Sequence, residues 1–435
     1  MNATMKRVEV FEGNQLYQVP LQSPANYAKC AFCGIDRNGR DCYVKVDDEL
    51  FSRHMLLLGG IGTGKTNVFD QILGQLRAGV TNQDVAIIFE TKGDFYQKFY
   101  RPGDVVISND STAVDETGKP NYWNIFREIR RDDSMEETII EIAKSLFAEK
   151  AKKTQQPFFP NAARDLFSAV LTDACRRNEN MDNASLRAFL DSSPAADIRK
   201  MLAAHPDMEA MISYISDDRS PQTQGVISEL QQTVREILIG NFKKAGTLSM
   251  RDLVRKKGGR FVFLEYDLQI GAMLSPVYSL LFDLAIKEAL GRNKTSGNTY
   301  FITDEFRLLP NLQHVDDAVN FGRSLGVKFM IGVQNVEQVY EAYGRERAIS
   351  ILSGFMTSVC FNVNDYESKQ YIKNLFGRNR KKDTYMSSVQ TRGIIENVRD
   401  SFVVEDWDIS RLGLGDAIIG LPACLLYTSP SPRDT

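Results

Sequence analysis

No stretch of this 435-residue sequence approaches the roughly 18 apolar residues that a membrane-spanning helix requires. The first dozen residues are polar and mixed, without the basic start and apolar core of a secretory signal. A strong charge of one sign is missing too: 53 Lys and Arg face 56 Asp and Glu, a net charge of −3. No global field therefore draws the chain to nucleic acid, and any polyanion site must be a local basic surface. Cysteine is sparse. Cys30, Cys33, Cys42, Cys175, Cys360 and Cys424 form no dense framework, which fits a reducing cytoplasm. Cys30 and Cys33 make a CxxC with Cys42 nearby, but no second CxxC and no suitably spaced His follows. Ordinary loop or strand cysteines are expected there instead of zinc ligands. These absences predict a cytoplasmic protein.

What is present reads as a soluble globular chain: 43% hydrophobic and 25% charged residues, with length for two or three domains of about 150 residues. Short runs of β-type residues stand at 54–60 (HMLLLGG), 84–90 (DVAIIFE), 104–108 (DVVIS), 260–266 (RFVFLEY), 299–303 (TYFIT), 328–333 (KFMIGV) and 358–363 (SVCFNV). Near-continuous apolar strands alternating with helical patterns predict an α/β fold whose mostly parallel sheet is covered on both faces. Residues 1–50, with the turn GIDRNGRDCYVKV, predict a β-hairpin lead-in. Strand signals vanish over 130–246. There, Ser134 and Glu137 stand at capping-box spacing, and Ile139, Ile140, Ala143, Leu146 and Phe147 fall on one helical face. The predicted division is an all-α insertion at 130–246 within a nucleotide-binding domain spanning 51–129 and 247–423.

Gly59-Gly60-Ile61-Gly62-Thr63-Gly64-Lys65-Thr66 satisfies GxxxxGK[ST] in full, between an apparent strand and a helix. Glycines let backbone N–H groups curl around phosphates, Lys65 reaches the β- and γ-phosphates, and the Thr66 hydroxyl ligates Mg²⁺. The residues predicted to bind nucleotide are thus Gly59, Gly60, Gly62, Thr63, Gly64, Lys65 and Thr66, with ATP and Mg²⁺ as ligands. The strand NTYFIT ends in Asp304, followed at once by Glu305. Asp304 is expected to hold the metal or its water. Glu305 is expected to polarise the attacking water, which favours hydrolysis over transfer to a small acceptor.

Several collinear segments go further than these two motifs: IFETKGDFYQKFYRPGDVVIS with NYWNIFREI, PFFPNAARDLFSAVL, FGRSLGVKFMIGVQNVEQVYEAYG and ILSGFMTSVCFNVNDYESKQYIKNLFG. From about Gly34 to Ala423 the chain resembles the coupling proteins of type IV secretion and conjugation, within the FtsK/HerA class of hexameric DNA pumps. The resemblance implies a RecA-like P-loop domain with an inserted all-α domain. It also implies an ATPase that translocates DNA as a homo-hexamer. Its partners would be DNA, single-stranded or relaxase-bound, the relaxase itself, and the proteins of the secretion channel. Gln334 matches the family's sensor glutamine, Arg323 an arginine that reaches a neighbouring subunit's nucleotide, and Arg53 a second arginine near the triphosphate. Family members usually begin with membrane-spanning helices, which this sequence does not show, so the resemblance implies either a soluble branch or a chain that reaches the inner face of the cytoplasmic membrane through another protein.

Two basic clusters are the candidates for DNA contact: Lys243, Lys244, Arg255, Lys256 and Lys257 within 241–260, and Arg378 and Arg380 within 377–382. No aromatic interleaving marks a stacking platform for single strands. Two other readings stay open: a pump of the same class outside conjugation, and a nucleotide-gated scaffold that recruits substrates. An ABC-type ATPase is excluded, because ILSGF at 351–355 follows Asp304 and lacks the remaining Gly-Gln of that signature. The last residues, 424–435 (CLLYTSPSPRDT), share nothing with the strand and turn before them and resemble a translated sequencing adapter. Native sequence is therefore expected to cease at about Ala423.

Overall fold

The computed structural model describes residues 4–17, 29–36, 39–177, 181–291, 297–386 and 394–422, and the adapter-like tail lies outside them. Its strands in chain order are β1 (Thr4–Glu12), β2 (Cys30–Ile35), β3 (Asp41–Val46), β4 (Met55–Leu58), β5 (Val85–Glu90), β6 (Val105–Ile107), β7 (Arg260–Glu265), β8 (Thr299–Thr303), β9 (Val327–Val333), β10 (Thr357–Cys360), β11 (Arg378–Met386), β12 (Ile394–Phe402) and β13 (Ile418–Gly420). The chain divides into two compact units, Met1–Gly79 with Lys328–Thr435, and Val80–Val327.

In the first unit β4 runs parallel to β10 on one side and β9 on the other, and β13 adds antiparallel to β10. All four residues of β4 are buried, which is why a central parallel strand reads as an unbroken apolar run. The helix Lys65–Gly79 follows and buries Phe69, Ile72, Leu73 and Leu76, an i, i+3, i+4, i+7 stripe. Strand β2 pairs antiparallel with β3. The β2 edge of this pair is closed by the P-loop helix: the Gln75 amide exchanges hydrogen bonds with Ala31 N–H and C=O at 2.8 and 2.9 Å, and Gln71 does the same at Cys33, both at 3.0 Å. Two side-chain amides thus take the place of a further strand. The Cys30 thiol is buried and pushed up to about 12 by that burial, while Cys33 is exposed. An antiparallel sheet β1-β11-β12 was not foreseen. Its partners lie near opposite ends of the sequence, so no local pattern pairs them.

The second unit carries four parallel strands in the order β8-β5-β7-β6. Between β6 and β7 the described residues form no named strand and include the helices Met135–Lys153, Phe158–Arg176, Asn183–Ser192, Ala195–Ala203 and Pro221–Ile237. A bridge between Trp123 and Leu248 joins the entry to this helical segment and its exit. Beside it, fully buried Glu128 accepts from Trp123 Nε1 (2.9 Å), Met250 N (2.6 Å), Ser249 Oγ (3.0 Å) and Arg251 N (3.2 Å). Four donors satisfy a carboxylate that burial alone would penalise heavily.

The capping box expected at Ser134 and Glu137 does not form. The Ser134 hydroxyl donates to Asp132 (2.6 Å), and Glu137 sits 3.6 Å from Lys287, a partner far along the chain. Ile140 is exposed, and Ile142 takes the buried place beside Ile139 and Ala143. The same helix grips the loop after β8 at two points. Glu141 stands 3.5 Å from His314 Nε2, and Lys152 donates to Asn311. On its other side His314 is held by Asp283, 3.0 Å from its backbone N–H and 2.9 Å from Nδ1. Burial disfavours the charged imidazole, but the hydrogen bonds to Asp283 and Glu141 outweigh it and raise His314 to about 9. Among the described residues no helix is long and apolar enough to cross a membrane.

Candidate nucleotide site

The P-loop follows β4 directly. Gly59 N–H donates to Val333 O (3.1 Å) and Gly60 N–H to Asn362 O (2.9 Å), so the loop starts from the carboxyl ends of β9 and β10. Gly62 and Gly64 hold φ of +73° and +116°, conformations that a side chain would strain. A Cβ on Gly59 would meet Phe361 Cβ at 2.5 Å, and one on Gly64 would meet the Gly415 backbone at 3.2 Å. The glycine pattern is therefore a packing requirement as well as a turn requirement. Thr63 Oγ1 donates to Gly60 O (2.9 Å), and the Lys65 ammonium donates to the carbonyls of Gly59 and of Gly60 (3.0 Å for the latter). The helix beginning at Lys65 carries no acidic residue in its first turn, leaving its positive end to an anion. This cradle suits the phosphates of a nucleotide.

Gln334 follows β9, whose last residue Val333 pairs in register with Leu58 just before the P-loop. It therefore stands at the same end of the strands as Gly59. Arg53 does not. It precedes β4 at the amino end, roughly 13 Å from the P-loop by the rise of four extended residues. It pairs with Glu49 at 2.9 Å. Arg53 thus stands at the end of β4 opposite its own chain's P-loop.

In the second unit Asp304 and Glu305 leave the carboxyl end of β8. Burial, then the neighbouring carboxylates of Glu305 and Glu90, push the Asp304 carboxyl up to about 7. Its Oδ1 is buried with no hydrogen-bond partner among the described residues. A divalent cation would satisfy that oxygen and reverse the shift, so the residue suits a metal. Glu305 Oε1 accepts from Arg307 Nε at 3.1 Å. Arg323 is exposed on a short 3₁₀ turn, Gly322–Leu325, and Thr299 N–H donates to Gly326 O (2.9 Å). Arg323 thus lies at the amino end of β8, about 16 Å from Asp304 by the rise of five residues.

Sequence reasoning missed Glu90 and Glu265, which end β5 and β7 as Asp304 ends β8 and pair with each other in register. Each terminates an apolar run, the signal that singled out Asp304. Glu90 accepts from Phe95 N (2.8 Å) and Tyr96 N (2.6 Å). Burial and a hydrogen bond shared with Glu90 push Glu265 up to about 10, so at neutral pH Glu265 is the protonated donor and Glu90 the acceptor. The native state keeps this proton above the ordinary value of 4.5, where the unfolded chain has released it. The stabilisation is complete below that value and is lost as pH rises through about 10. The melting temperature should therefore fall with pH across this window in the wild type, and Glu265→Gln, neutral throughout, should flatten the fall. Equal slopes in a pH series of thermal melts would refute the shared proton.

The basic clusters are largely engaged. Glu288 gathers Arg130 (2.7 Å), Arg251 (3.0 Å) and Arg255 (3.1 Å), and Arg255 also meets Asp252 (3.3 Å). Lys257 is buried, and Lys244 donates to Asn241 (2.8 Å) and lies over the Tyr122 ring (4.6 Å). Lys243 and Lys256 are exposed. Arg380 faces Glu12 (3.3 Å) and Asp400 (3.7 Å), and Arg378 covers the Phe402 ring (5.0 Å). Charge counted along the sequence could not see Glu288 or Glu12.

Residues 44–408 match the family described as the DNA-binding domain of type IV secretion-system coupling proteins. The coupling protein TraD of Escherichia coli (strain K12) is 22% identical over 440 residues, covering 98% of this chain and 57% of TraD. The conjugal transfer protein TraG of Agrobacterium fabrum is 23% identical over 265 residues, 57% of this chain and 40% of TraG. The chain thus spans little more than half of TraD and less than half of TraG. The unbound monoclinic form of the conjugative coupling protein TrwBΔN70 superposes with a TM-score of 0.73 at 19% identity, over 91% of this chain and 86% of that one, which shows the fold. TrwB has also been solved with ADP and Mg²⁺, at a TM-score of 0.68 and 19% identity over 87% of this chain and 84% of that one.

Proposed function

The chain belongs to the type IV secretion-system coupling proteins, and on that premise we propose that it is an ATP-hydrolysing motor that moves DNA. It would work as a ring of six copies and bring relaxase-bound DNA to a secretion channel. The observation that carries this reading is the P-loop cradle, with its positive-φ glycines and helix amino end, in a chain of this family. TrwB's complex with ADP and Mg²⁺ supports the same ligands here.

In this mechanism the backbone N–H groups from Gly60 to Thr66 bind the phosphates. Lys65 exchanges the carbonyls of Gly59 and Gly60 for the β- and γ-phosphate oxygens. Thr66 and Asp304 would hold Mg²⁺, which when bound would supply charge against the negative charge developing on those oxygens. Glu305 accepts the proton of the attacking water, and Gln334 orients that water against the γ-phosphate. Arg323, one strand length from its own chain's Asp304, serves the nucleotide of the next copy. Lys243 and Lys256 are the exposed cations best suited to DNA phosphates.

The test is ATP turnover of the full chain with and without single-stranded and duplex DNA, at concentrations on both sides of assembly. Stimulation by DNA that appears only in the assembled state is expected. Turnover indifferent to every DNA form and to assembly would sink the motor reading.

A further inference from the structure

The stretch Asp304-Glu305-Phe306-Arg307 places a cation two residues after the proposed general base. Phe306 is fully buried and anchors a single 3₁₀ turn, Phe306–Leu308, so Glu305 and Arg307 flank one fixed point. Their side chains meet: Arg307 Nε donates to Glu305 Oε1 at 3.1 Å. The two partners differ in exposure, the Glu305 side chain at 12% and that of Arg307 at 42%. The carboxylate is enclosed, whereas the guanidinium reaches solvent with donors that Glu305 does not use. An oxygen that accepts from a guanidinium is less available to a water proton. A half-exposed arginine can trade a single Nε contact for a bidentate grip on a phosphate, the geometry its fork matches best.

We propose that Arg307 is a positioning residue that restrains Glu305, and that phosphodiester oxygens of bound DNA compete for its guanidinium and so release the carboxylate for hydrolysis. The proposal rests on the reading of Glu305 as general base and adds the step that links DNA to turnover. It places the restraint within one turn of the chain, so no motion between subunits is needed to lift it. Nucleotide affinity is untouched, because neither partner belongs to the P-loop.

The experiment measures ATP turnover of the full chain, with and without a single-stranded oligonucleotide, for wild type and for Arg307→Ala, Arg307→Gln, Arg307→Lys and Glu305→Gln. Arg307→Ala should raise the DNA-free kcat roughly two- to fivefold, the ratio such an ion pair supports. The DNA-stimulated kcat and the KM for ATP should match wild type, so the stimulation ratio shrinks by the same factor. Arg307→Gln repeats the test with the side-chain length kept, and Arg307→Lys, still a cation, should restore the wild-type ratio. A merely structural role would lower both rates together. An unchanged ratio in Arg307→Ala and Arg307→Gln, or a fall in both rates in soluble, nucleotide-binding protein, overturns the restraint. A wild type whose turnover ignores DNA overturns the release step. Wild-type turnover in Glu305→Gln overturns the general-base reading itself. Loss of turnover in Glu305→Gln with an unchanged Arg307→Ala ratio overturns only the restraint.

Discussion

Glu305→Gln is expected to lower ATP turnover about 10²–10⁴-fold, the range associated with a positioned general base. Glutamine keeps the shape and the hydrogen-bonding reach of the side chain but cannot take a proton from water. Asp304, the P-loop and Lys65 are unaltered, so affinity for ATP should stay close to wild type. That separates this variant from Lys65→Ala, which removes the phosphate-binding ammonium and should lose nucleotide affinity along with turnover. Titration with a fluorescent ATP analogue beside a steady-state turnover assay reads both quantities. Retained turnover in Glu305→Gln would mean that another group accepts the proton. Weakened binding without slower chemistry would mean that Glu305 holds nucleotide and is no base.

Arg323→Ala carries the other large effect, about 10³–10⁵ in turnover, as for arginines that complete a phosphoryl-transfer site from a neighbouring subunit. The side chain is exposed on the turn before β9, at the end of β8 opposite Asp304. An arginine so placed cannot serve the carboxylates of its own chain, and the loss should therefore be complementable. Mixing Arg323→Ala with Lys65→Ala pairs an intact P-loop on one chain with an intact arginine on the other. Neither variant turns over alone, and the mixture should recover a readily measured fraction of wild-type turnover. Inactivity of the mixture, with both variants assembling normally, would place Arg323 outside the site.

Much of this architecture was legible in the sequence because its causes are local. β4, β5, β7, β8 and β9 are buried parallel strands, and burial on both faces leaves unbroken apolar runs. The P-loop reads directly, since its glycines answer to the chain's own positive φ angles and to Phe361. What escaped depends on partners distant in sequence. β1 pairs with β11, Glu288 collects Arg130 and two arginines of the 250–256 helix, and Glu137 faces Lys287 instead of Ser134. Glu90 and Glu265 carried the same strand-end signal as Asp304 and lacked only the neighbouring Glu305 that drew notice to it.

The double hold of the 135–153 helix on the loop after β8, Glu141 at His314 and Lys152 at Asn311, bears on how this protein can be cut and recombined. Residues 311 and 314 lie within ten positions of Asp304, so the two stretches cannot be inherited separately without leaving charged side chains facing alien partners. A shortened gene lacking 130–246 would leave His314 without Glu141 and Asn311 without Lys152. A chimera between relatives should place its crossovers so that the helical segment and the 304–314 loop come from the same parent.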